Sequence, residues 1–581
     1  MSLRRGTGAG CFAALFTLLG LVAVRPGIGV AAVGEECGFT FTEVAVESGV
    51  RFVHASGASG GLHLPETMGA GAGWIDYDGD GWLDLYLVQS GPFPPQGGRE
   101  SADRLFRNLG PDAAGRIRFE PVDAGSFASG YGQGVVAADV DGDRDVDLLV
   151  SHYGPTVLLR NRGDGAFAPA EPLSAATPEG GTDDFPWGSS MALADADGDG
   201  DLDLYVSRYL DYDPDHGLVC RRDGPDSEPE VCDPSLFLGQ HDRYYVNLGG
   251  GTFEDATARA GLDGADGKGL GVVFADLDGD GWPDLYVAND LTLNLLFRNR
   301  GDGTFEDQSL LSGAAVNRNG RPEAGMGLAA ADFDSDGDVD LMVTNFDVET
   351  NTLYRNATSG TDLLFEDVSA TTGFGQPSFN LLGFGIVTGD FDRDGALDVY
   401  LANGHIFASP RRDNTDHRQR NLLLRGGDGD GQGSFTEMRC DWTDQGPLVS
   451  RGAAVADFDN DGDGDLLVTA NDGPARLWRN DTGGTDWLGV ELRGGSPNTQ
   501  AVGAVLTFSS ESGKQPARRW ILRGGSYQSS SGHRLRWAVP ASDNGTPVGD
   551  SGWLDVRWPG GARTRIVDPP AGVYVVVGER R

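Results

Sequence analysis

A nine-residue acidic motif recurs seven times along this chain, and its regular return constrains the fold more than any other feature. The copies are DYDGDGWLD (Asp76, Asp78, Asp80, Asp84), DVDGDRDVD (Asp139, Asp141, Asp143, Asp147) and DADGDGDLD (Asp195, Asp197, Asp199, Asp203). They continue as DLDGDGWPD (Asp276, Asp278, Asp280, Asp284), DFDSDGDVD (Asp332, Asp334, Asp336, Asp340), DFDRDGALD (Asp390, Asp392, Asp394, Asp398) and DFDNDGDGD (Asp457, Asp459, Asp461, Asp465). Their first residues lie 63, 56, 81, 56, 58 and 67 positions apart. Such a period marks a repeat architecture, in which each unit needs neighbours to bury its faces.

The spacing has a coordination-chemical reason. Carboxylates at loop positions 1, 3, 5 and 9 converge if the backbone turns sharply at position 6, and the carbonyl of position 7 adds an oxygen. That donor set suits calcium, which takes six or more oxygens; magnesium demands strict octahedral geometry and fits less well. Glycine fills position 6 in six copies, the exception being Arg144, so the second site is expected to be the weakest. The position-12 Glu of an EF-hand loop is absent, with Val287 there in the fourth copy. Two carboxylates about 4 Å apart repel by about 4 kcal/mol at an effective dielectric near 20. Four per loop must therefore protonate, spread or bind a cation. Turn capping alone explains one or two aspartates per loop, not four. Up to seven calcium ions, one per unit, is the expectation.

Between the loops lies strand material. In the fourth unit GLGVVFAD precedes the loop, and LYVAND, NLLFRN and TFEDQS follow it, separated by Gly/Asp turns. Four short strands make one sheet per unit, and seven such sheets around an axis make a closed β-propeller. The outer TFED-type strand recurs at Phe253, Phe305 and Phe365, but LWRN (Leu477 to Asn480) runs on with no such segment. A comparable one, FTFTEVAVESG, stands at Phe39 to Gly49. This N-terminal strand is expected to complete the last blade and close the ring.

The ends and composition set the context. Residues 1–32 read as a secretory signal peptide, with Arg4 and Arg5 ahead of an apolar run from Cys11 to Val24 and small residues before Val33. No other segment resembles a membrane span. The remaining cysteines are Cys37, Cys220, Cys232 and Cys440; Cys220 and Cys232 share one short polar loop and form the expected disulfide, while a Cys37–Cys440 pairing stays open. A net charge of −42 argues against nucleic acid as a partner.

With these motifs the repeats resemble FG-GAP or VCBS units, as in integrin-like propellers, and the fuller match is to bacterial relatives of cartilage acidic proteins. Glu66-Thr67-Met68-Gly69, Gly325-Met326-Gly327, Asn403-Gly404-His405 and the Cys220/Cys232 insertion carry that resemblance. The tail, with Asn498, Ala501-Val502-Gly503-Ala504, Gly525-Ser526-Tyr527-Gln528-Ser529 and Trp558-Pro559-Gly560-Gly561, resembles the ASPIC/UnbV domain. Its Trp537-Ala538-Val539 departs from the Gly-Leu-Gly-like stretch of relatives. The resemblance implies an all-β chain: a seven-bladed calcium propeller over residues 33–485, with an insertion at 209–242, then a small β-sandwich-like domain at 486–581. It also implies a secreted or periplasmic module that binds an extracellular protein or glycan in matrix or adhesion roles. An enzyme or accessory protein acting on polysaccharide or a secondary metabolite, as in enediyne clusters, is the alternative.

Single residues carry less. His405 is a candidate binding residue, set against an ordinary hydrogen-bonded histidine. Gly57-Ala58-Ser59-Gly60-Gly61 matches GxSxG without the strand-to-helix elbow that motif needs. Trp82 and Trp282 either stack on sugars or pack between blades. The Asp/Pro-rich insertion is the best interaction candidate, and residues 411–420 read as a solvated loop. Among these residues no catalytic constellation is recognised.

Overall fold

A computed structural model describes residues 37–579, except 96–101, 124–129, 174–184, 216, 222–225, 265–266, 361, 409–414, 428–432, 484–485, 511–515 and 540–551. The expected signal peptide lies outside the described residues. Gly38–Arg581 forms one compact unit.

Seven small antiparallel sheets follow one another in order. The first holds Ala72–Ile75, Asp84–Leu87, Arg104–Pro111 and Ile117–Val122. The second has three strands, not the expected four: Tyr131–Ala138, a long Asp147–Leu159 and Glu171–Pro172. The third, fourth and fifth begin at Gly188–Ala194, Gly269–Ala275 and Leu328–Ala331, and the sixth at Gly383–Gly389. The seventh joins Ser450–Ala456, Asp465–Ala470 and Arg476–Asn480 to the N-terminal strand Phe41–Glu43. Phe41 pairs with Asn480 and Glu43 with Trp478, so the outer strand missing after Asn480 is indeed supplied from the other end of the chain. Each first strand packs beside the first strand of the next sheet, and Ser450–Ala456 returns to Ala72–Ile75. The ring is closed.

The burial pattern explains why the strands read as they do. The first two strands of a sheet are flanked on both faces and are buried at nearly every residue, as in Gly269–Ala275 and Asp284–Asn289. Such strands are near-continuously apolar or small. Outer strands such as Phe305–Asp307 run from a buried first residue to an exposed last one.

Neighbouring sheets are stitched by one repeated side chain. The asparagine near the end of the third strand donates its amide to the carbonyl of loop position 2 in the preceding sheet. Asn108 reaches Phe458, Asn161 reaches Tyr77, and Asn247 reaches Val140. Asn299, Asn356 and Asn480 reach Ala196, Leu277 and Phe391 in the same way. The sixth sheet has Gly426 there, because a Cβ would lie 2.4 Å from the Leu397 carbonyl oxygen.

The tail folds as two sheets over a shared core. Asp486–Arg493 lies between Leu535–Val539 and Val573–Gly578, and Ala517–Trp520, Val505–Ser509, Trp553–Arg557 and Arg563–Val567 form the other sheet. Val490, Leu506, Trp537 and Val556 pack between them. This tail is no separate appendage: residues 523–532 run through the centre of the ring. Leu193 and Val135 donate amides to the Arg523 and Gln528 carbonyls, Gly525 donates to Val272, and Ser526 to Leu328. The Ser526 hydroxyl contacts the Ile386 amide and the Ala453 carbonyl, and Ser530 exchanges backbone bonds with Ala72 and Trp74. Every first strand of the ring thus hydrogen-bonds this one segment.

Candidate metal loops and an axial pocket

The acidic loops all join a first strand to a second, so they share one end of the ring. Position 6 is left-handed as expected, with φ between 90° and 100° at Gly81, Gly200, Gly281, Gly337, Gly395 and Gly462. Arg144 takes φ 86° in the second loop, a strained value for a residue with a side chain. Position 4 is left-handed too, at Gly79, Gly142, Gly198, Gly279, Ser335, Arg393 and Asn460, which the spacing of carboxylates did not reveal.

Within a loop the carboxylates divide their work. At position 1, Asp76, Asp332, Asp390 and Asp457 accept the position-6 amide on one oxygen, at 3.1, 3.1, 3.1 and 2.8 Å. The other oxygen of Asp76, Asp276, Asp332 and Asp390 is buried with no hydrogen-bond partner. Position 5 caps the turn, as where Asp80 accepts from the Trp82 amide at 2.9 Å. Position 9 spends both oxygens on backbone amides. Asp84 accepts from Tyr77 and Asn108, and Asp284 from Leu277 and Asn299. A carboxylate has about four lone-pair sites, so this anchoring role leaves capacity for a cation.

These groups fit a cation. In five loops three carboxylates offer oxygens within 4.8 Å of one another, with position 9 included in Asp76/Asp78/Asp84 and Asp139/Asp141/Asp147, and two further clusters occur. Burial pushes Asp84, Asp147, Asp203 and Asp340 up to about 8, and Asp76, Asp195 and Asp390 up to about 6. Clustered, buried and partly orphaned carboxylates are what a hard cation would relieve. Third-strand arginines lean into the loops from outside: Arg298 lies 2.6 Å from Asp278 and 2.7 Å from Asp280.

The tail covers this same end. Arg557 pairs with Asp276 at 2.8 Å, the Tyr574 hydroxyl donates to Asp457 at 2.7 Å, and Thr499 donates to Asp139. Arg534 donates to the Gly81 carbonyl at 3.0 Å. Trp282 rests between Gly198 of the preceding loop and Gly301 of its own sheet, which is inter-blade packing. Trp82 likewise packs against Gly110 and the core between the first and seventh sheets.

The opposite end, where first strands begin and second strands finish, holds an apolar pocket of about 310 Å³. The motifs singled out in the sequence converge there: Met68 from ETMG, Met326 from GMG, and Ile406 and Phe407 just beyond NGH. Tyr527, fully buried, belongs to the same cluster and meets Phe384 at 4.9 Å between ring centroids. Asp233, Pro234 and Ser235 of the insertion form one wall. That insertion carries the expected Cys220–Cys232 disulfide, with Cα atoms 5.1 Å apart, and its ends are pinned where Gln240 donates to the Tyr209 carbonyl. His405 sits behind the wall, 1% exposed. Its Nδ1 accepts the Phe407 amide at 3.0 Å and its Nε2 lies 3.6 Å from Asp347.

The ring and its repeated loops define an all-β propeller built of acidic-loop repeats. The chain belongs to the FG-GAP-like repeat family, whose model matches residues 76–150, 139–206, 235–287, 276–343 and 332–401, and residues 494–581 match the ASPIC and UnbV model. It is 26% identical over 390 residues to human cartilage acidic protein 1, covering 64% of this chain and 50% of that protein. To the mouse protein of the same name it is 24% identical over 524 residues, covering 86% of this chain and 71% of the relative. Thus the chain spans about half the length of the human relative. An Agrocybe aegerita lectin that recognises non-reducing terminal N-acetylglucosamine is similar at 16% identity and TM-score 0.39, covering 72% of this chain and 93% of that one. Among the described residues no helix is long and apolar enough to cross a membrane.

Proposed function

We propose that this chain is a secreted, calcium-stabilised seven-bladed propeller that serves as a non-catalytic binding module for an extracellular protein or glycan. The observation that carries the metal part is the buried, unpartnered oxygen repeated at position 1 of four loops. Calcium would be held by positions 1, 3 and 5, with position 9 anchoring the loop to the third strand, and the Arg144 loop would bind most weakly. The binding part is supported by the division of the ring's two ends. The tail covers the loop end, while the other presents an apolar pocket beside a disulfide-held insertion. The four-residue contact of His405 with Asp347, Phe346 and Phe407 favours an enzyme only weakly, because His405 is buried and does not line that pocket.

The test is calcium titration of chelator-stripped mature protein, read by calorimetry and thermal unfolding. Binding of six or seven ions with a large rise in melting temperature supports the reading. Neither binding nor a shift leaves the aspartates as turn formers.

A further inference from the structure

We propose that the axial pocket binds a small organic ammonium, an apolar body carrying one protonated amine. This deepens the binding-module reading and rests on it, but does not depend on calcium.

Three observations converge. First, the wall is apolar and aromatic: Met68, Leu270, Met326, Phe346, Phe384 and Phe407 come from four different sheets and their connections. Tyr527 belongs to the same core cluster and closes the axis beneath. At about 310 Å³ the space matches about ten water volumes, the bulk of a one-ring ligand.

Second, the polar lining is acidic. Asp290 and Asp233 both line the pocket, and Asp290 is only 6% exposed. One Asp290 oxygen accepts the Tyr209 hydroxyl at 2.5 Å, and among the described residues no cationic nitrogen lies within 4.0 Å of this carboxylate. Lys268 is the nearest candidate, but its Nζ donates to the Pro234 carbonyl at 2.9 Å. Lys268 eases the Asp290 charge only from beyond ion-pair distance, so a buried carboxylate without a direct ion pair remains costly, and an arriving ammonium relieves it.

Third, aromatic faces and a carboxylate together form the chemistry that selects ammonium ions over neutral or anionic isosteres. A ligand bearing a carboxylate or phosphate would instead meet two aspartates. Burial pushes Asp290 up to about 6, so it is mainly ionised at neutral pH and able to pair.

The test uses the full mature chain in excess calcium, titrated calorimetrically with 2-phenylethylammonium, 2-phenylethanol and 3-phenylpropanoate. The expected result is a preference of about tenfold or more for the ammonium over both isosteres. Asp290→Asn should erase that preference. Met326→Trp, which fills the cavity, should abolish binding of all three, so the assignment does not hang on one variant. Equal binding of the alcohol, or a preference that survives Asp290→Asn, overturns the ammonium assignment while leaving a binding pocket in place. No binding by any probe overturns the ammonium assignment, and the separate calcium titration still judges the metal reading.

Discussion

The side-chain amide of Asn161 donates to the Tyr77 carbonyl at 2.7 Å and to the Val146 carbonyl at 3.1 Å, tying the second sheet to the acidic loop of the first. The contact with Tyr77 is buried, and its equivalents recur around the ring. Asn161→Ala should leave two buried carbonyls unsatisfied and cost about 1–3 kcal/mol in urea unfolding. The junction of the fifth and sixth sheets, where Gly426 replaces the asparagine, lacks this tie, so it should exchange its amide hydrogens fastest among the seams.

Removing cations should destabilise the loop end of the ring selectively. With chelator, four carboxylates per loop stay crowded, and the melting temperature should fall by several degrees for each few kcal/mol of lost binding energy. Arg557→Ala frees one Asp276 oxygen from a competing cation and should strengthen calcium binding at the fourth loop alone. Calorimetry would show one site of raised affinity and the others unchanged.

A pH effect should arise away from the loops. Asp103 accepts the Tyr86 hydroxyl at 2.6 Å and the Gln89 amide at 2.7 Å in a fully buried site, and burial pushes it up to about 7. A carboxyl raised in the folded state holds its proton there more tightly than in the unfolded chain. Its contribution to stability is therefore greatest below about pH 4 and declines as pH rises to about 7. Calcium-loaded protein should melt lower at pH 7 than at pH 5 from this term, and Asp103→Asn should flatten the slope. An unchanged slope in the variant would assign it elsewhere.

Ring closure rests on three residues. Phe41 packs on Trp442 with ring centroids 4.5 Å apart while pairing with Asn480. Phe41→Ala should cost about 3–5 kcal/mol, and deletion of residues 39–49 should expose the Arg476–Asn480 edge and lower the melting transition of the whole unit. An unchanged melting profile after the deletion would rule out this closure.

The acidic loops and the closing strand were legible because each leaves a local signature: fixed aspartate spacing, a glycine at the turn, a strand present at one end and absent at the other. What escaped was carried by backbone groups. Residues 523–532 bond chiefly to strand amides and carbonyls 73 to 459 positions away, and a backbone acceptor leaves no mark on the sequence. The GSYQS stretch was visible as a motif, yet nothing in it said that Tyr527 would sit beneath Met68 and Phe384. The amide-anchoring role of Asp84 and its equivalents was not legible, because ligation and amide anchoring require the same residue type. The asparagine of LFRN was on the page, but its partner lies in the preceding unit.

Tyr527 offers the sharpest check on the tail. It is fully buried, and its hydroxyl donates to the Met68 carbonyl at 3.3 Å. Tyr527→Ala should cost about 3–5 kcal/mol, measured on the intact chain rather than on the isolated tail.

The position of that axial segment in the chain sets an order of assembly. Its partners run from Met68 to Val455, so every one of them precedes it in synthesis, and it can be seated only after the last sheet has formed. A chain cut short between Asn480 and residue 523 would own seven sheets and no axle. The structure thereby couples full stability to complete synthesis, and a prematurely ended copy would present seven inner strands without their axial partner to proteolysis.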